Sequence, residues 1–239
     1  GGFVDDGLGP VGSGGFASDT TPMVQGSLSA PLGSGEFVQV LRNGIVVGQA
    51  SVSGTTWSYQ EPAALAGATY SYQARALDAA ANASATSSAA ALTVVTSSLP
   101  NATLTDATVT SPGGSPGKPV GTTVASGGTI PDSTPTLTIS LSAPLQPGYQ
   151  VIVLRDNVEI GTLNACASPC AFTDPGATQG TRGYRARTIA GALQGALSAQ
   201  YTLVIDTAAP TQSATITQVR SDQAPFTAVG GAVPVDEFI

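Results

Sequence analysis

The chain has 239 residues and a net charge of −7, with 8 basic residues and no histidine. This charge excludes a nucleic-acid-binding role, because so few basic side chains cannot neutralise a run of phosphates, and the lack of histidine removes the commonest general base and zinc ligand. Only 10% of the residues are charged and 5% are aromatic, a composition typical of extracellular β-proteins, and no apolar run approaches the roughly 20 residues of a membrane-spanning helix.

The first segment of the chain, residues 1–22, is rich in Gly and Asp and contains Asp5, Asp6 and Asp19. These aspartates could share a cation. They could equally be turn residues, because Asp bonds through its side chain to nearby backbone amides. Related segments recur at 109–135 and from 219 onward, so we expect the chain to begin and end inside a repeat.

The next stretch occurs twice at a constant offset of 113 residues, as Pro31 and Pro144 and again as Gly48 and Gly161 show. Ser-Leu-Ser-Ala-Pro-Leu stands at 27–32 and at 140–145, and alternating apolar residues follow each copy. Arg-Asn-Gly at 42–44 and Arg-Asp-Asn at 155–157 then interrupt the alternation. The last two residues of each tripeptide, Asn-Gly and Asp-Asn, accept the positive φ angles of a tight hairpin turn. The duplication therefore predicts one β-hairpin in each of two β-domains.

Behind each hairpin the copies differ at one position, where Trp57 aligns with Cys170. We interpret Trp57 as a buried core side chain rather than an exposed platform for a sugar, because a sandwich of small residues needs a large one inside. Alternating strands are predicted around 70–76 and 184–188. Ala-rich residues 79–91 lack an apolar stripe and are predicted to be a loop. The strand arginines, among them Arg42 and Arg155, are predicted to lie on solvated faces.

The two cysteines, Cys166 and Cys170, are separated by Ala-Ser-Pro. A metal site would need further ligands, and the chain has no other Cys and no His. A local disulfide at a hairpin tip suits this spacing better, and we expect it to compensate for the aromatic packing that Trp57 provides in the first copy. Such a bond indicates an exported protein.

In sequence order, the motifs resemble the bacterial Ig-like repeats of large surface adhesins and biofilm-associated proteins. The resemblance rests on Asp-Thr-Thr-Pro at 19–22, the hexapeptide, the hairpin, Trp-Ser-Tyr at 57–59 and Tyr-x-Tyr-x-Ala-Arg at 70–75. It implies an all-β fold of tandem antiparallel Ig-like β-sandwiches that form a stalk. It also implies calcium, which Asp5, Asp6 and Asp19 would bind in the first copy, whereas the second copy lacks several of the matching carboxylates and looks unable to supply the six to eight oxygens that calcium needs.

We therefore predict three domains: repeat 1 at 1–98, with its first strand missing, repeat 2 at 99–208, and at 209–239 the start of a third repeat or a donor strand. The expected function is that of non-enzymatic spacer repeats in a secreted or surface-attached bacterial adhesin or filament. A carbohydrate-binding β-sandwich is an alternative, for which Tyr149 alone is a poor candidate. Expected partners are neighbouring repeats or identical subunits, and an adhesin would also contact a surface or carbohydrate ligand.

The two ends of the chain support two further hypotheses. The missing first strand would leave an open sheet edge in repeat 1, and an open edge recruits strands of matching pattern. Residues 211–219 alternate suitably, with Thr211, Ala214, Ile216 and Val219 as the candidate assembly residues. The ends are then either cut ends of a continuous stalk, or a device by which one subunit donates a strand to the next in a head-to-tail polymer.

Overall fold

The computed structural model describes residues 1–110 and 118–215. All regular elements in these ranges are strands, so the predicted all-β class is confirmed and residues 79–89 form a loop. Residues Gly1–Thr207 form one compact unit, and Ala208–Ile239 form a second.

Repeat 1 contains ten strands arranged as two facing sheets. One sheet has the order β2-β1-β4-β8-β7 and the other has the order β3-β10-β9-β5-β6. The strands are β1 Gly2–Asp5, β2 Gly9–Val11, β3 Gly15–Ala17, β4 Met23–Ser27, β5 Phe37–Arg42, β6 Ile45–Gln49, β7 Ser51–Ser53, β8 Thr56–Gln60, β9 Ala68–Leu77 and β10 Ala90–Val94.

In its described residues, repeat 2 has ten further strands with the same plan, except that it lacks a counterpart of β7 and adds β19. Its sheets have the orders β12-β11-β14-β17 and β13-β20-β18-β15-β16, and β19 is attached to β18. The strands are β11 Ala102–Thr108, β12 Thr123–Val124, β13 Thr129–Ile130, β14 Thr136–Leu141, β15 Tyr149–Arg155, β16 Val158–Asn164, β17 Cys170–Thr173, β18 Gly180–Ala190, β19 Leu193–Gln194 and β20 Tyr201–Ile205.

This strand order is that of an Ig-like sandwich. In repeat 1, β1, β4, β8 and β7 share one sheet as strands A, B, E and D do, while β10, β9 and β5 share the other as G, F and C do. The short β3 pairs in parallel with β10, and β13 pairs in parallel with β20 in repeat 2. The fold class predicted from the duplication is therefore confirmed for both copies.

The two duplicated hairpins form as predicted. β5 pairs with β6, and β15 pairs with β16, each across a two-residue turn. The turn residues have positive φ angles, 51° at Asn43 and 78° at Gly44 in the first copy, and 53° at Asp156 and 65° at Asn157 in the second. Asn and Gly tolerate this backbone conformation better than other residues do, which explains why the pattern was readable from sequence.

Each sandwich encloses its own apolar core. In repeat 1 the rings of Phe3 and Tyr72 meet edge to face inside a cluster of small apolar side chains. In repeat 2 the centre is occupied by Tyr184 and Ile139 among Val and Leu side chains. Inward residues alternate with outward ones along the strands, for example in β20, because successive side chains in a strand point to opposite faces.

The prediction that repeat 1 lacks its first strand is wrong as stated. β1 is present and pairs with β4, but it covers only Gly2–Asp5, whereas its counterpart β11 extends over Ala102–Thr108. Within the given residues, β1 thus corresponds to the second half of β11. Of the predicted third unit, residues 208–215 contain no strand, and 216–239 lie outside the described residues.

Candidate assembly site at the edge of repeat 1

The short first strand leaves one end of β4 paired on a single side. β1 stands opposite Met23 to Gln25 and no further along β4, while β8 pairs with β4 as far as Ser27. In repeat 2 the corresponding positions of β14 are covered, because Ala102, Thr103 and Leu104 stand opposite Leu141, Ser140 and Ile139. Gly26, Ser27 and Leu28 thus form an open strand position, a name used below for these three residues.

A groove of about 540 Å³ lies along the open strand position. It reaches from the open strand position to the facing sheet and to the loop at 84–90. Its lining includes the apolar side chains of Val24, Leu28 and Val38 as well as polar side chains. Named walls of the groove include Gly1, Gly2, Trp57, Tyr72, Ala74 and Glu36.

Trp57 lies beside this groove rather than wholly inside the core. The indole is half-buried, packs against the core of repeat 1, and lies opposite Gly26 on the neighbouring strand. A Cβ placed on Gly26 would come within 2.5 Å of the indole, so only glycine leaves room for the ring. Trp57 is therefore a partly exposed core side chain, intermediate between the two roles weighed from sequence.

Repeat 2 exchanges large and small residues at the same pair of positions. Ile139 occupies the position of Gly26, and Cys170 occupies the position of Trp57. Both residues are buried. The side chain of Ile139 therefore fills most of the volume that the indole fills in repeat 1. The disulfide, which we expected to compensate for the indole, supplies at most a part of this volume.

The predicted disulfide between Cys166 and Cys170 is confirmed. It closes the loop that enters β17, in which Ser168 Oγ accepts a hydrogen bond from the backbone N–H of Leu141. Cys170 is buried against the core of repeat 2 and Cys166 is packed beside it. The bond therefore fixes the start of β17 against β14.

Reduction of this disulfide is expected to destabilise repeat 2 modestly. Closing so short a loop removes little chain entropy from the unfolded state, about 2 kcal/mol in the loop-entropy model. Urea unfolding of the full chain with and without dithiothreitol measures the difference. The Cys166→Ala/Cys170→Ala double variant serves as the control, since its stability should not respond to the reductant. A loss on reduction above about 4 kcal/mol would contradict the estimate.

Asp5 is a buried turn residue in repeat 1. Its Oδ1 accepts the backbone N–H groups of Gly7 and Leu8, at 2.8 and 2.9 Å, and its Oδ2 accepts those of Ser18 and Asp19, at 2.7 and 2.9 Å. Burial alone would raise the pKa of this carboxyl, but the four backbone donors outweigh it and lower the pKa below its ordinary value. The carboxylate thus joins the turn after β1 to the end of β3.

The other two predicted calcium ligands have different surroundings. Asp6 is exposed. Asp19 Oδ1 accepts the N–H and hydroxyl of Thr21, as Asp132 does from Thr134 in repeat 2. Asp19 Oδ2 is buried and receives no hydrogen bond. In residues 1–110 and 118–215, no group of three or more His, Cys, Asp or Glu side chains is placed to hold a metal ion. The contacts favour the turn role, and calcium binding stays a prediction.

A buried ion pair with a tyrosine recurs in both repeats and escaped sequence analysis. In repeat 1, Arg42 Nη1 contacts Glu61 Oε2 at 2.6 Å, and the Tyr72 hydroxyl donates to Glu61 Oε1 at 2.7 Å. Burial raises the pKa of Tyr72, and the bond to Glu61 raises it further. Burial opposes the charge of Arg42, but the hydrogen bond to Glu61 keeps its pKa raised.

Repeat 2 builds the same unit from Arg155, Asp174 and Tyr184. Asp174 accepts the guanidinium of Arg155 and the hydroxyl of Tyr184, the latter at 2.7 Å. The expectation that Arg42 and Arg155 lie on solvated faces is therefore wrong, because each reaches back to a buried carboxylate. We call these units the Arg–carboxylate–Tyr clamps. The duplication contained a sequence signal for the clamps, because their carboxylates, Glu61 and Asp174, stand 113 residues apart.

The linker between the two repeats is exposed at residues 96–98 and buried at its end. Leu99 and Pro100 are buried, and the Thr188 hydroxyl donates to the carbonyl oxygen of Pro100 at 2.6 Å. The rings of Phe16 from repeat 1 and Tyr149 from repeat 2 meet edge to face with centroids 5.7 Å apart. Tyr149, the poor lectin candidate, is thus occupied by a contact between repeats.

A glycine permits this contact. Gly148 has a φ of 84°, and a Cβ there would come within 2.6 Å of the Phe16 ring. Both the backbone conformation and the close approach of the ring therefore require glycine. We call the Pro100–Thr188 bond and the Phe16–Tyr149 contact together the inter-repeat joint.

The predicted assembly residues fall partly within the described chain. Thr211 and Ala214 are exposed and belong to no strand. Ile216 and Val219 lie outside the described residues, so their role stays a prediction. In the described part of the chain, no helix has the length and apolarity needed to cross a bilayer.

No family model matches this chain, and no curated protein matches it. Among solved structures, the Clostridium thermocellum CbhA fibronectin(III)-like modules are similar at 12% identity over 80% of this chain and 87% of theirs, with a TM-score of 0.47. The chicken CNTN1 FN1-FN3 domains are similar at 11% identity over 81% and 64%, with a TM-score of 0.43. A biofilm associated protein, BSP domain, is similar at 17% identity over 83% of this chain and 29% of that chain, with a TM-score of 0.29.

Proposed function

We propose that this chain supplies spacer repeats to a bacterial adhesin or extracellular filament, where it mediates adhesion or matrix assembly and catalyses no reaction. Its two Ig-like sandwiches follow each other along the chain, and their strand orders agree except at β7 and β19. A spacer needs folded units in series and a connection that resists bending. The partners of such a unit are neighbouring repeats or identical subunits.

The inter-repeat joint is the observation that carries this proposal. Residues 96–98 of the linker are exposed, but Leu99 and Pro100 are buried, and the Thr188 hydroxyl of repeat 2 donates a hydrogen bond to the carbonyl oxygen of Pro100. The ring contact between Phe16 and Tyr149 adds a second point of attachment. The bond at Pro100 holds the end of the linker on repeat 2, and the ring contact joins the two repeats directly. We expect the shortened linker and the ring contact together to oppose rotation of one repeat against the other.

The disulfide supports an extracellular location. Disulfides persist in oxidising compartments and are rare in reducing ones, and the bond between Cys166 and Cys170 closes a loop at a strand start. A location outside the cell, at the bacterial surface, fits this chemistry and the low content of charged residues, 10%.

The proposal is tested by loosening the joint. Phe16→Ala removes the ring contact and Thr188→Val removes the hydroxyl donor, so we expect the double variant to show a broader range of inter-repeat distances. Small-angle X-ray scattering of the full chain measures this, and circular dichroism verifies that both sandwiches remain folded.

Tyr149→Phe is the matched control, because it keeps the ring at the joint. Its scattering should equal that of the unaltered chain. If the double variant also scatters like the unaltered chain, or if the unaltered chain already scatters as a flexible pair, the joint does not stiffen the molecule and the spacer proposal loses its basis.

A further inference from the structure

We propose that the outward face of β18 in repeat 2 binds a polysaccharide that carries carboxylate groups, through the side chains of Arg185 and Arg187. This goes beyond the spacer proposal, because it assigns a ligand class and a contact surface that a spacer does not require. We call this surface the arginine face, and it consists of the two arginines and of the side chains that flank them on the neighbouring strand, Ile152 and Leu154.

β18 places the two arginines next to each other on the solvent side of the sheet. Every second residue of this strand from 184 to 190 is buried, so Arg185 and Arg187 point outward, because successive side chains of a strand alternate between its faces. Two such residues have Cα atoms about 7 Å apart. On β15, Leu154 stands opposite Arg185 and Ile152 stands opposite Arg187.

The two guanidinium groups have only neutral partners. Arg185 Nη2 donates to Gln200 Oε1 at 3.4 Å, and Arg187 Nη1 donates to Gln194 Oε1 at 2.5 Å. The Nε–H of each arginine is buried and has no acceptor. Within the part of the chain that the structure describes, neither arginine forms an ion pair with a carboxylate. Two like charges, which repel each other on one face of a sheet, therefore stand together in a chain whose net charge is −7.

Repeat 1 shows that the sandwich does not need this pair. Its β9 carries one outward arginine, Arg75, whose Nε and Nη2 both donate to Gln39 Oε1, at 2.9 and 2.8 Å. In repeat 2, Ile152 occupies the position of this acceptor. Arg185 stands where repeat 1 has Gln73, directly after the tyrosine of each clamp. The arginine face thus has one more cation and one acceptor fewer than the same face of repeat 1.

The surroundings of the pair favour a sugar polymer over an acidic peptide. A carboxylate is the anion that matches a guanidinium, because it accepts two parallel N–H groups. β15 is paired with strands on both sides, so a peptide would find no unpaired backbone there to extend the sheet. Amides and a hydroxyl, which can bond to the hydroxyl groups of sugars, surround the pair on the same sheet: Gln150, Thr162, Asn164, Gln194 and Gln200.

A carboxylate limits the cationic area on one side. Glu159 lies on β16 opposite Leu154, and its Oε1 accepts the Thr162 hydroxyl at 3.0 Å. Leu154 separates Glu159 from Arg185, because the three residues belong to three adjacent strands. The positive charge is therefore confined to a strip along β18, which fits a linear polymer rather than a broad anionic surface.

The first test measures the binding of galacturonate oligomers to the full chain by isothermal titration calorimetry at low salt without divalent cations. We expect one saturable site that weakens as salt is added, because exposed charges are screened. Arg185→Gln/Arg187→Gln should bind about tenfold more weakly or worse, since charge-assisted hydrogen bonds are lost. Arg75→Gln/Lys118→Gln is the matched control. It removes the same two charges elsewhere and should bind like the unaltered chain.

The second test builds the same face on repeat 1. Gln39→Ile removes the acceptor of Arg75, and Gln73→Arg adds the second cation. We expect the chain with both substitutions to bind two oligomers instead of one, and circular dichroism verifies that all variants remain folded. An unchanged stoichiometry would mean that the added cation and the absent acceptor do not make a site.

Three results would overturn the proposal. Equal binding by the two double variants, or no binding by the unaltered chain, would remove the arginine pair as a site for uronates. Binding of polyglutamate as tight as that of the uronate would identify an acidic polypeptide as the partner. Stronger binding to vesicles that contain an anionic phospholipid would identify a membrane surface. Dextran, a neutral polymer, should not bind. None of these results changes the scattering result on the inter-repeat joint, so the spacer proposal is tested separately.

Discussion

Replacement of Asp174 by alanine is expected to lower the free energy of unfolding of repeat 2 by about 3–5 kcal/mol, the usual cost of removing one partner from a buried ion pair. Asp174 is fully buried and accepts Arg155, Tyr184 and the backbone N–H of Gly176. Without it, the buried Tyr184 hydroxyl and the half-buried Arg155 guanidinium would lose their acceptor. Urea unfolding of the full chain, with transitions for each repeat, measures the loss.

Two further variants serve as comparisons for Asp174→Ala. Tyr184→Phe removes only a hydroxyl and leaves the Asp174–Arg155 pair, so we expect a smaller loss of about 1–2 kcal/mol. Glu61→Ala removes the matching carboxylate of repeat 1 and should destabilise that repeat instead. A loss below about 1 kcal/mol for Asp174→Ala would mean that water replaces the carboxylate and that the clamp does not hold the sandwich together.

The second large effect is expected at Asp5 in acid. The pKa of Asp5 is lowered in the folded chain, because four backbone N–H donors outweigh the opposing effect of burial. A carboxyl with a lowered folded pKa binds fewer protons folded than unfolded, so its contribution to stability is present above the unfolded pKa, about 3.9. That contribution is lost as the pH falls through the folded pKa. Repeat 1 should therefore lose stability from about pH 5 downward.

Asp5→Asn tests this directly. An amide cannot accept four N–H donors as a carboxylate does, so we expect a loss of about 3 kcal/mol at pH 7, since hydrogen bonds to a charged group contribute more than neutral ones, and a smaller dependence on acid. Asp6→Asn is the matched control, because Asp6 is the exposed neighbour and should leave stability and its pH dependence nearly unchanged. Thermal unfolding between pH 3 and 7 gives both quantities. Equal pH profiles for the two variants would show that Asp5 does not cause the loss of stability of repeat 1 in acid.

The sequence determined the elements whose signals are local. Asn43 and Gly44 predicted a hairpin because their short or absent side chains permit positive φ, and the structure has that turn. The offset of 113 residues predicted two copies of one fold, because homologous segments bury the same faces. Cys166 and Cys170 predicted their own pairing, since a four-residue separation brings them together without help from the rest of the chain.

Tertiary structure alone decided the contacts between distant positions. Arg42 meets Glu61 across 19 residues and Phe16 meets Tyr149 across the joint, and no local pattern marks such partners. The register of β1 on β4 decided which residues of β4 the first strand covers. It also placed Gly26 beside Trp57, while the other repeat places Ile139 beside Cys170. These pairs form only when two strands align, because cross-strand neighbours are set by register and not by separation along the chain.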